Sequence, residues 1–360
     1  MAENQSITIP AHHNIYNGST GRGLRIDFSY PSAGVTTETG LLLIVPGFGG
    51  NIESKVYRKM RDRLADDYNL VTLQCAYFGD LYMQGAENFT LQNTEHFVQK
   101  YLDPKQQLEF RKKPTNLLSL LSSKAITLPV LAQLNETMEE FNDMGFMQAI
   151  DLITAIDAII IILKENGLSF NEQKIIGYGH SHGAYLLHLV NRMAPHLIST
   201  IIDNSSWIEP VYLTNNRYLF QKLNELTIQI EFEYLAKKVI KDKQSLNLAT
   251  LYCDFDNQTE IMSFQGTDDN LINHREKQAI ISGIDNAKFI LVNEKDVDQI
   301  VFKSNGHGLD ADFLKMFEMA YNECNFEVTK VEKKKAYKVV LSNTTIYVDY
   351  SQGLPLFQLE

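Results

Sequence analysis

The chain carries one serine, one histidine and a few carboxylates whose local settings suit acyl chemistry. Ser181 is the centre of Gly179-His180-Ser181-His182-Gly183, which fits G-x-S-x-G. In that motif the serine sits on a sharp strand-to-helix turn, so that its hydroxyl stands clear of the sheet edge. The flanking glycines have a steric reason: such a turn leaves no room for a Cβ, and glycine tolerates the dihedrals that close approach demands. A serine hydroxyl is a poor nucleophile at neutral pH, so it needs a base within hydrogen-bond reach and an acid to orient that base. His307, in Asn305-Gly306-His307-Gly308, lies between glycines beyond the last strands and before a terminal helix, where a loop-borne base belongs. For the acid, Asp269 in the turn Gly266-Thr267-Asp268-Asp269 comes first, with the adjacent Asp268 and the earlier Asp203 as alternatives.

Acyl transfer also needs donors for the oxygen that becomes negative. One is expected from the backbone N–H of His182, the residue after the nucleophile. The other is expected from Phe48, in the loop Pro46-Gly47-Phe48-Gly49-Gly50. Each such donor is worth roughly 3 kcal/mol to the transition state. His180 and His182, with His188 or His307, raise the question of a metal. No cysteine or carboxylate cluster at ligand spacing accompanies them, so neither a metal nor an organic cofactor is expected. His180 is expected to pack on the rim.

The elements that must position these groups are those of an α/β protein. Ser6–Pro10 and Leu24–Tyr30 alternate like antiparallel strands, whereas Leu41–Val45 (LLLIV) is the continuous apolar run of a strand covered on both faces. A helix follows from about Ser54, then a buried strand over Asn69–Tyr77. Phe141–Leu163 reads as a buried helix, capped by Asn142 or Asp143 and ended by Gly167. Lys174–Tyr178 is the strand into the elbow, followed by a helix carrying Ala184, Leu186, Leu187 and Val190 on its apolar face. Further strands are expected over Leu197–Asp203, Ile261–Phe264 and Lys288–Val292, with a helix over Asn273–Ile281. Ile300–Phe302 is a short apolar run in or beside the sheet, and Asp310 is expected to cap a last helix running through Tyr321.

Two long stretches interrupt this order. Residues 78–140 hold prolines 104, 114 and 129 among amphipathic segments with enough leucine to pack, and connections this long are normally lids or disordered, so a lid is expected. Tyr77, Phe78 and Tyr82 at its start suit either a pocket or the core. Residues 208–260 form a second insertion, in which Leu226–Tyr234 alternates as one strand of an accessory hairpin. The core is therefore read as 1–77, 141–207 and 261–324, and 325–360 as a β appendage with a hairpin around Ser342-Asn343, a possible contact edge.

At these residues a resemblance emerges. The elbow GHSHGAYLLHLV, the helix start NDMGFMQAID, the segment APHLISTIIDNSS and the YFG after the second buried strand resemble a bacterial family of α/β-hydrolase-like proteins known only as a domain of unknown function. The resemblance runs from Leu41 to His307 and is weakest in the insertions. It implies an α/β-hydrolase fold, a mostly parallel sheet flanked by helices, and a Ser-His-Asp triad on Ser181, His307 and Asp269. It implies no substrate. Pro46 stands where many hydrolases have a histidine before the oxyanion glycine, a departure that bears on the details of the hole.

Composition narrows the partners. A net charge of -11 disfavours nucleic acid and anionic membranes, both of which repel an acidic surface. The clusters Arg111-Lys113 and Lys333-Lys335 are read as solvated faces. Cys75, Cys253 and Cys324 are odd in number and far apart, as reduced thiols are, and the segment MAENQSITIP lacks the features of a secretion signal. No apolar run is expected to span a bilayer, so a cytoplasmic location is the expectation. Oligomeric state is open. The first expected function is a serine hydrolase of a small-molecule or acylated substrate, esterase or deacylase in type. A peptidase or acyltransferase on the same triad follows, without a propeller-like domain to favour an oligopeptidase. A non-catalytic binding scaffold is the reading from outside enzymology.

Overall fold

The structure is a computed structural model that describes every residue except 87 and 327–330. Its largest element is an eight-stranded sheet. In chain order its strands begin with β1 (Glu3–Pro10), β2 (Gly23–Tyr30), β3 (Gly40–Val45) and β4 (Leu70–Cys75), with helix α1 (Lys55–Tyr68) between the last two. The first insertion then supplies β5 (Asn88–Leu91), α2 (Thr94–Tyr101), α3 (Pro104–Lys112), α4 (Leu117–Leu121) and β6 (Thr127–Gln133). The chain returns to the sheet through α5 (Phe146–Glu165), β7 (Ile175–His180), α6 (His182–Met193) and β8 (Thr200–Asn204). The second insertion holds β9 (Arg217–Leu223), β10 (Leu226–Phe232) and the short helices α7 (Ala236–Val239) and α8 (Leu248–Tyr252). Finally come β11 (Glu260–Gly266), α9 (His274–Ile281), β12 (Ala287–Val292), α10 (Phe313–Tyr321) and the strands β13 (Ala336–Leu341), β14 (Thr344–Asp349) and β15 (Leu356–Leu359).

The main sheet runs β1-β2-β4-β3-β7-β8-β11-β12. Pairing is antiparallel from β1 through β2 to β4 and parallel from there on. Strand side chains point alternately to opposite faces, and here both faces are covered. Leu41, Leu43 and Val45 join the core that includes Ile150, Ile153 and Leu186 of α5 and α6. Leu42 and Ile44 join Met60, Leu64 and Phe317 of α1 and α10 on the other side. A mostly parallel sheet between two helical layers, with a tight strand-to-helix turn after β7, is the α/β-hydrolase fold.

Several sequence expectations need correction. Helix α5 starts at Phe146, with Gly145 at the cap position. Asp143 lies just outside it and accepts from the Met147 amide at 2.7 Å. Contrary to expectation, α5 is long and apolar enough to cross a membrane, and 83% of its most apolar window is buried within the protein. Ile300–Phe302 lies beside the sheet and not in it: Phe302 packs on Phe264 of β11 at 6.1 Å between ring centres, and the Asp298 carboxylate takes the amides of Ile300, Val301 and Phe302 at 2.8, 2.8 and 3.0 Å, leaving none for a sheet ladder. The cap of α10 is Asp312, which accepts from Lys315 N at 3.2 Å. Asp310 instead lies in a left-handed turn with φ 42°. Tyr77 and Phe78 belong to the core.

The two insertions form one body. β6 pairs in parallel with β10, giving a second sheet in the order β5-β6-β10-β9, with antiparallel partners outside. Leu128 and Val130 of β6 and Leu226, Ile230 and Phe232 of β10 are buried, so one face of this sheet packs inward. The passage after β4 is thus folded, and half of its sheet comes from a segment far along the chain. At the C-terminus the expected hairpin gains a third strand, β15, antiparallel to β14. This small sheet is tied to the body by Tyr337 Oη donating to the Met193 carbonyl at 2.7 Å and by the Phe357 amide donating to His12 Nε2 at 2.8 Å.

Candidate active site

The turn between β7 and α6 is as tight as its glycines imply. Ser181 has φ 52° and ψ -118°, a conformation costly for a residue with a Cβ and typical of over-determined sites. The neighbours leave little choice. A Cβ on Gly179 would lie 2.5 Å from the Cα of Ala184, and one on Gly183 would lie 2.3 Å from the Pro46 carbonyl oxygen. The Ser181 amide donates to the Asn204 carbonyl at 2.7 Å, and its own carbonyl accepts from Tyr185 at 3.1 Å to open α6. The serine is thereby held by the sheet on one side and the helix on the other.

Two distant loops meet it there. His307 Nε2 is 2.7 Å from Ser181 Oγ, and His307 Nδ1 is 2.8 Å from Asp269 Oδ2. The Asp269 side chain is fully buried, while that of His307 is 21% exposed and open to a ligand. Asp269 Oδ1 accepts from the amides of Leu271 and Ile272 at 2.8 and 3.0 Å, and Oδ2 also accepts from Gln265 Nε2 at 2.7 Å. Burial alone would raise its pKa. The hydrogen bond and charge of His307, with the other donors, outweigh burial and hold the carboxyl below its ordinary value. An ionised carboxylate only accepts, so Nδ1 must carry the imidazole proton and Nε2 is left to accept from the serine hydroxyl.

The alternative acids lie elsewhere. Asp268 is exposed, and its amide donates to the Asn305 carbonyl at 2.9 Å. Asp203 is fully buried and committed to an ion pair with Lys277 at 3.1 Å, also accepting from His188 Nε2, Ser206 Oγ and Ser263 Oγ at 3.2, 2.8 and 2.7 Å. Burial opposes its ionisation, but the Lys277 ammonium and these hydrogen bonds hold it far below the usual carboxylate range. Sequence reading missed Lys277 because a lysine in an exposed-looking helical pattern gives no sign of facing inward.

The expected oxyanion donors are free. In the loop after β3 the amides of Gly47, Gly49 and Gly50 go to Tyr57 Oη, Met83 Sδ and the Gly47 carbonyl at 3.3, 3.0 and 2.8 Å. The amides of Phe48 and His182 have no protein acceptor among the described residues. The loop lies against the elbow, since a Cβ on Gly47 would come 3.6 Å from that of Ser181. Their side chains share an aromatic cluster: the Phe48 ring is 5.3 Å from His182, 5.3 Å from Trp207 and 5.4 Å from Tyr212.

Neither histidine of the elbow lies on a rim. His180 is 4% exposed, boxed by Phe313 and Tyr178 at 3.9 and 4.6 Å between ring centres. Burial pushes the pKa of both His180 and His182 down to about 3, so both are neutral at physiological pH. His188 is engaged by Asp203 and by Tyr252 Oη at 2.7 Å. Among the described residues no group of His, Cys, Asp and Glu is gathered as a metal site.

Ser181 and His307 open on a depression of about 490 Å³, walled by His180, Phe313, Lys303 and Asp310. A larger one, about 730 Å³, lies by Arg192, Cys253 and Val340. Chemistry rather than size makes the first the candidate site, because of these two only it joins a serine hydroxyl to an imidazole.

Comparison with curated proteins gives no match. Solved structures give distant likenesses. Est1E of Butyrivibrio proteoclasticus, with ferulic acid bound, is 13% identical at a TM-score of 0.46, with 83% of this chain and 93% of that one covered. Thermogutta terrifontis esterase 2, phosphonylated by sarin, is 12% identical at 0.45, covering 86% and 92%. A dienelactone hydrolase of Anabaena variabilis is 11% identical at 0.41, covering 89% and 96%. Residues 22–237 match the family described as "Protein of unknown function (DUF2920)", and the chain belongs to that family.

Proposed function

We propose that the protein is a serine hydrolase that cleaves an ester or related acyl bond through an acyl-enzyme. One observation carries the reading: the unbroken hydrogen-bond chain from Asp269 through His307 to Ser181, at 2.8 and 2.7 Å. In this reading Ser181 Oγ attacks the acyl carbon while its proton passes to His307 Nε2. The carbonyl oxygen becomes an oxyanion held by the amides of Phe48 and His182. The bond to the leaving group then breaks, and His307 returns the proton to that group. Water attacks the acyl-serine with His307 again as base, releasing the acid and restoring the hydroxyl. Asp269 stays ionised throughout and stabilises the imidazolium.

The leaving group must lie on the side of the imidazole that protonates it. The depression with Phe313 and Lys303 is lined by both Ser181 and His307 and is the space this reading gives to the leaving group, while the aromatic cluster around Phe48 adjoins the two oxyanion donors. A fluorophosphonate probe is expected to label the folded wild type at Ser181 and to leave Ser181→Ala unlabelled. A folded wild type that resists the probe would return the protein to the class of binding scaffolds.

A further inference from the structure

The largest feature that the proposed chemistry leaves unused is the cap sheet, and one of its side chains reaches the oxyanion loop. Arg217 opens β9 and is half-buried. Its guanidinium lies over the Phe48 ring at 4.9 Å and near those of Phe232 and Tyr212 at 5.7 and 5.9 Å. Its Nη1 donates to the Met83 carbonyl at 3.3 Å and to Gln84 Oε1 at 3.0 Å. Those two residues of the first insertion grip the same loop. Met83 Sδ accepts the Gly49 amide at 3.0 Å, and Gln84 Nε2 donates to the Gly49 carbonyl at 3.4 Å. Gly49 has φ 92°, and a Cβ there would lie 2.2 Å from the Gln84 amide nitrogen, so the grip is close.

We propose that Arg217 is a positioning residue, through which the cap holds the Gly47–Gly50 loop so that the Phe48 amide stays aimed at the oxyanion. This rests on the hydrolase reading above. The physical argument is preorganisation. A backbone donor stabilises a transition state only if it does not have to be reoriented during the reaction, and in a loop of three glycines the Gly50–Gly47 turn bond and the Tyr57 hydroxyl leave the Gly49 peptide to be fixed by the cap. Arg217 supplies what the loop lacks: a cation over the one ring in it, and a single donor nitrogen, Nη1, that ties down both residues clasping Gly49. The cap in this view is a buttress, in which the β6–β10 pair joins the insertion that carries Met83 and Gln84 to the one that carries Arg217.

Arg217 also has no carboxylate within ion-pair distance among the described residues, so the competing role is a receptor for an anionic substrate group. The test separates the two. Arg217→Met and Gln84→Ala are compared with wild type on neutral and carboxylate-bearing aryl esters, against an aryl boronic acid as tetrahedral analogue, and by amide hydrogen exchange of residues 47–50. In Arg217→Met we expect kcat to fall about ten- to hundred-fold on both esters with KM within about two-fold, and boronate affinity to fall by a similar factor. Amide exchange in the loop should quicken. Gln84→Ala, on an exposed side chain, should move all of these in the same direction by less. A KM rise confined to the carboxylate ester would overturn the proposal in favour of anion binding, and unchanged exchange with unchanged kcat would overturn it outright. If the wild type hydrolyses neither ester, the hydrolase reading has failed, whereas the exchange measurement still decides whether Arg217 restrains the loop.

Discussion

The elbow at Ser181 and the cap above it are built in opposite ways. Strand, turn and helix of the elbow are consecutive, and each glycine answers to an atom a few residues away or on the adjacent strand. The cap sheet joins β6 to β10 across more than ninety residues of intervening chain, so no local rule fixes its pairing. What the difference teaches concerns tolerance. A site made by steric necessity fails all at once when one group is lost, while one made by distant pairing yields by degrees.

The largest effects therefore belong beneath the elbow. His307→Ala removes the proposed base, 2.7 Å from the serine oxygen, and kcat should fall by about 10⁴- to 10⁶-fold without loss of the fold. Asp269→Asn should cost about 10⁴-fold, because an amide no longer selects the tautomer that leaves Nε2 unprotonated. Asp268→Asn, one residue away and exposed, should leave kcat unchanged. Steady-state kinetics on any ester the wild type accepts, with circular dichroism to verify folding, checks the three together. Equal losses at 268 and 269 would mean that the acid has been misassigned.

Next comes stability beneath the same turn. Asp203 and Lys277 are both fully buried and 3.1 Å apart. Removing one charge from a buried pair leaves the other uncompensated, so Asp203→Asn should lower unfolding free energy by about 3–5 kcal/mol in urea titration. Lys277→Met in the Asp203→Asn background should recover part of that loss, since a shape-matched apolar replacement does not strand a charge. If the double variant is no better than the single, hydrogen bonding to His188 and the two serines, rather than the ion pair, holds this layer together.

How much of this was legible follows the same division. Gly179 and Gly183 announce the elbow because the constraint on them is nearly local. His307 is found by its glycines and its place after the last strands, and Asp269 by its turn. Asp203 is a weaker alternative because it lies within a strand and not in a turn beyond one. What commits it elsewhere, the inward-facing Lys277 with His188, Ser206 and Ser263, is not legible, since one lysine in an amphipathic helix carries no sign of its direction. The Asp298 turn hid for another reason. Ile300–Phe302 has the composition of a strand, but a single carboxylate outcompetes the ladder for its three amides. Arg217 and the β6–β10 pairing left no trace, since alternation reports which residues of a strand face inward and not which strand lies alongside.

The smallest effect should come from the stitching within the cap, where the contrast with the elbow is sharpest. Glu231 of β10 accepts from Gln92 Nε2 of the first insertion at 3.1 Å, and from Asn216 and from Tyr218 Oη at 3.1 Å of the second. The Asn216 hydrogen bond, then those of Tyr218 and Gln92, keep its pKa below the ordinary glutamate value against a weaker opposing effect of burial. A carboxylate whose pKa is depressed by folding stabilises the folded state above its unfolded pKa, near 4.3. That contribution fades as pH falls through the folded value. Because the group is close to solvent, screening keeps the contribution under about 1 kcal/mol. Glu231→Gln should therefore change stability slightly at pH 7, and the difference from wild type should shrink toward zero below about pH 4. Thermal unfolding followed from pH 3 to 7 reads this directly. A gap between the two proteins that persists at the acid end would mean that the carboxylate acts by its shape in the sheet and not by its charge.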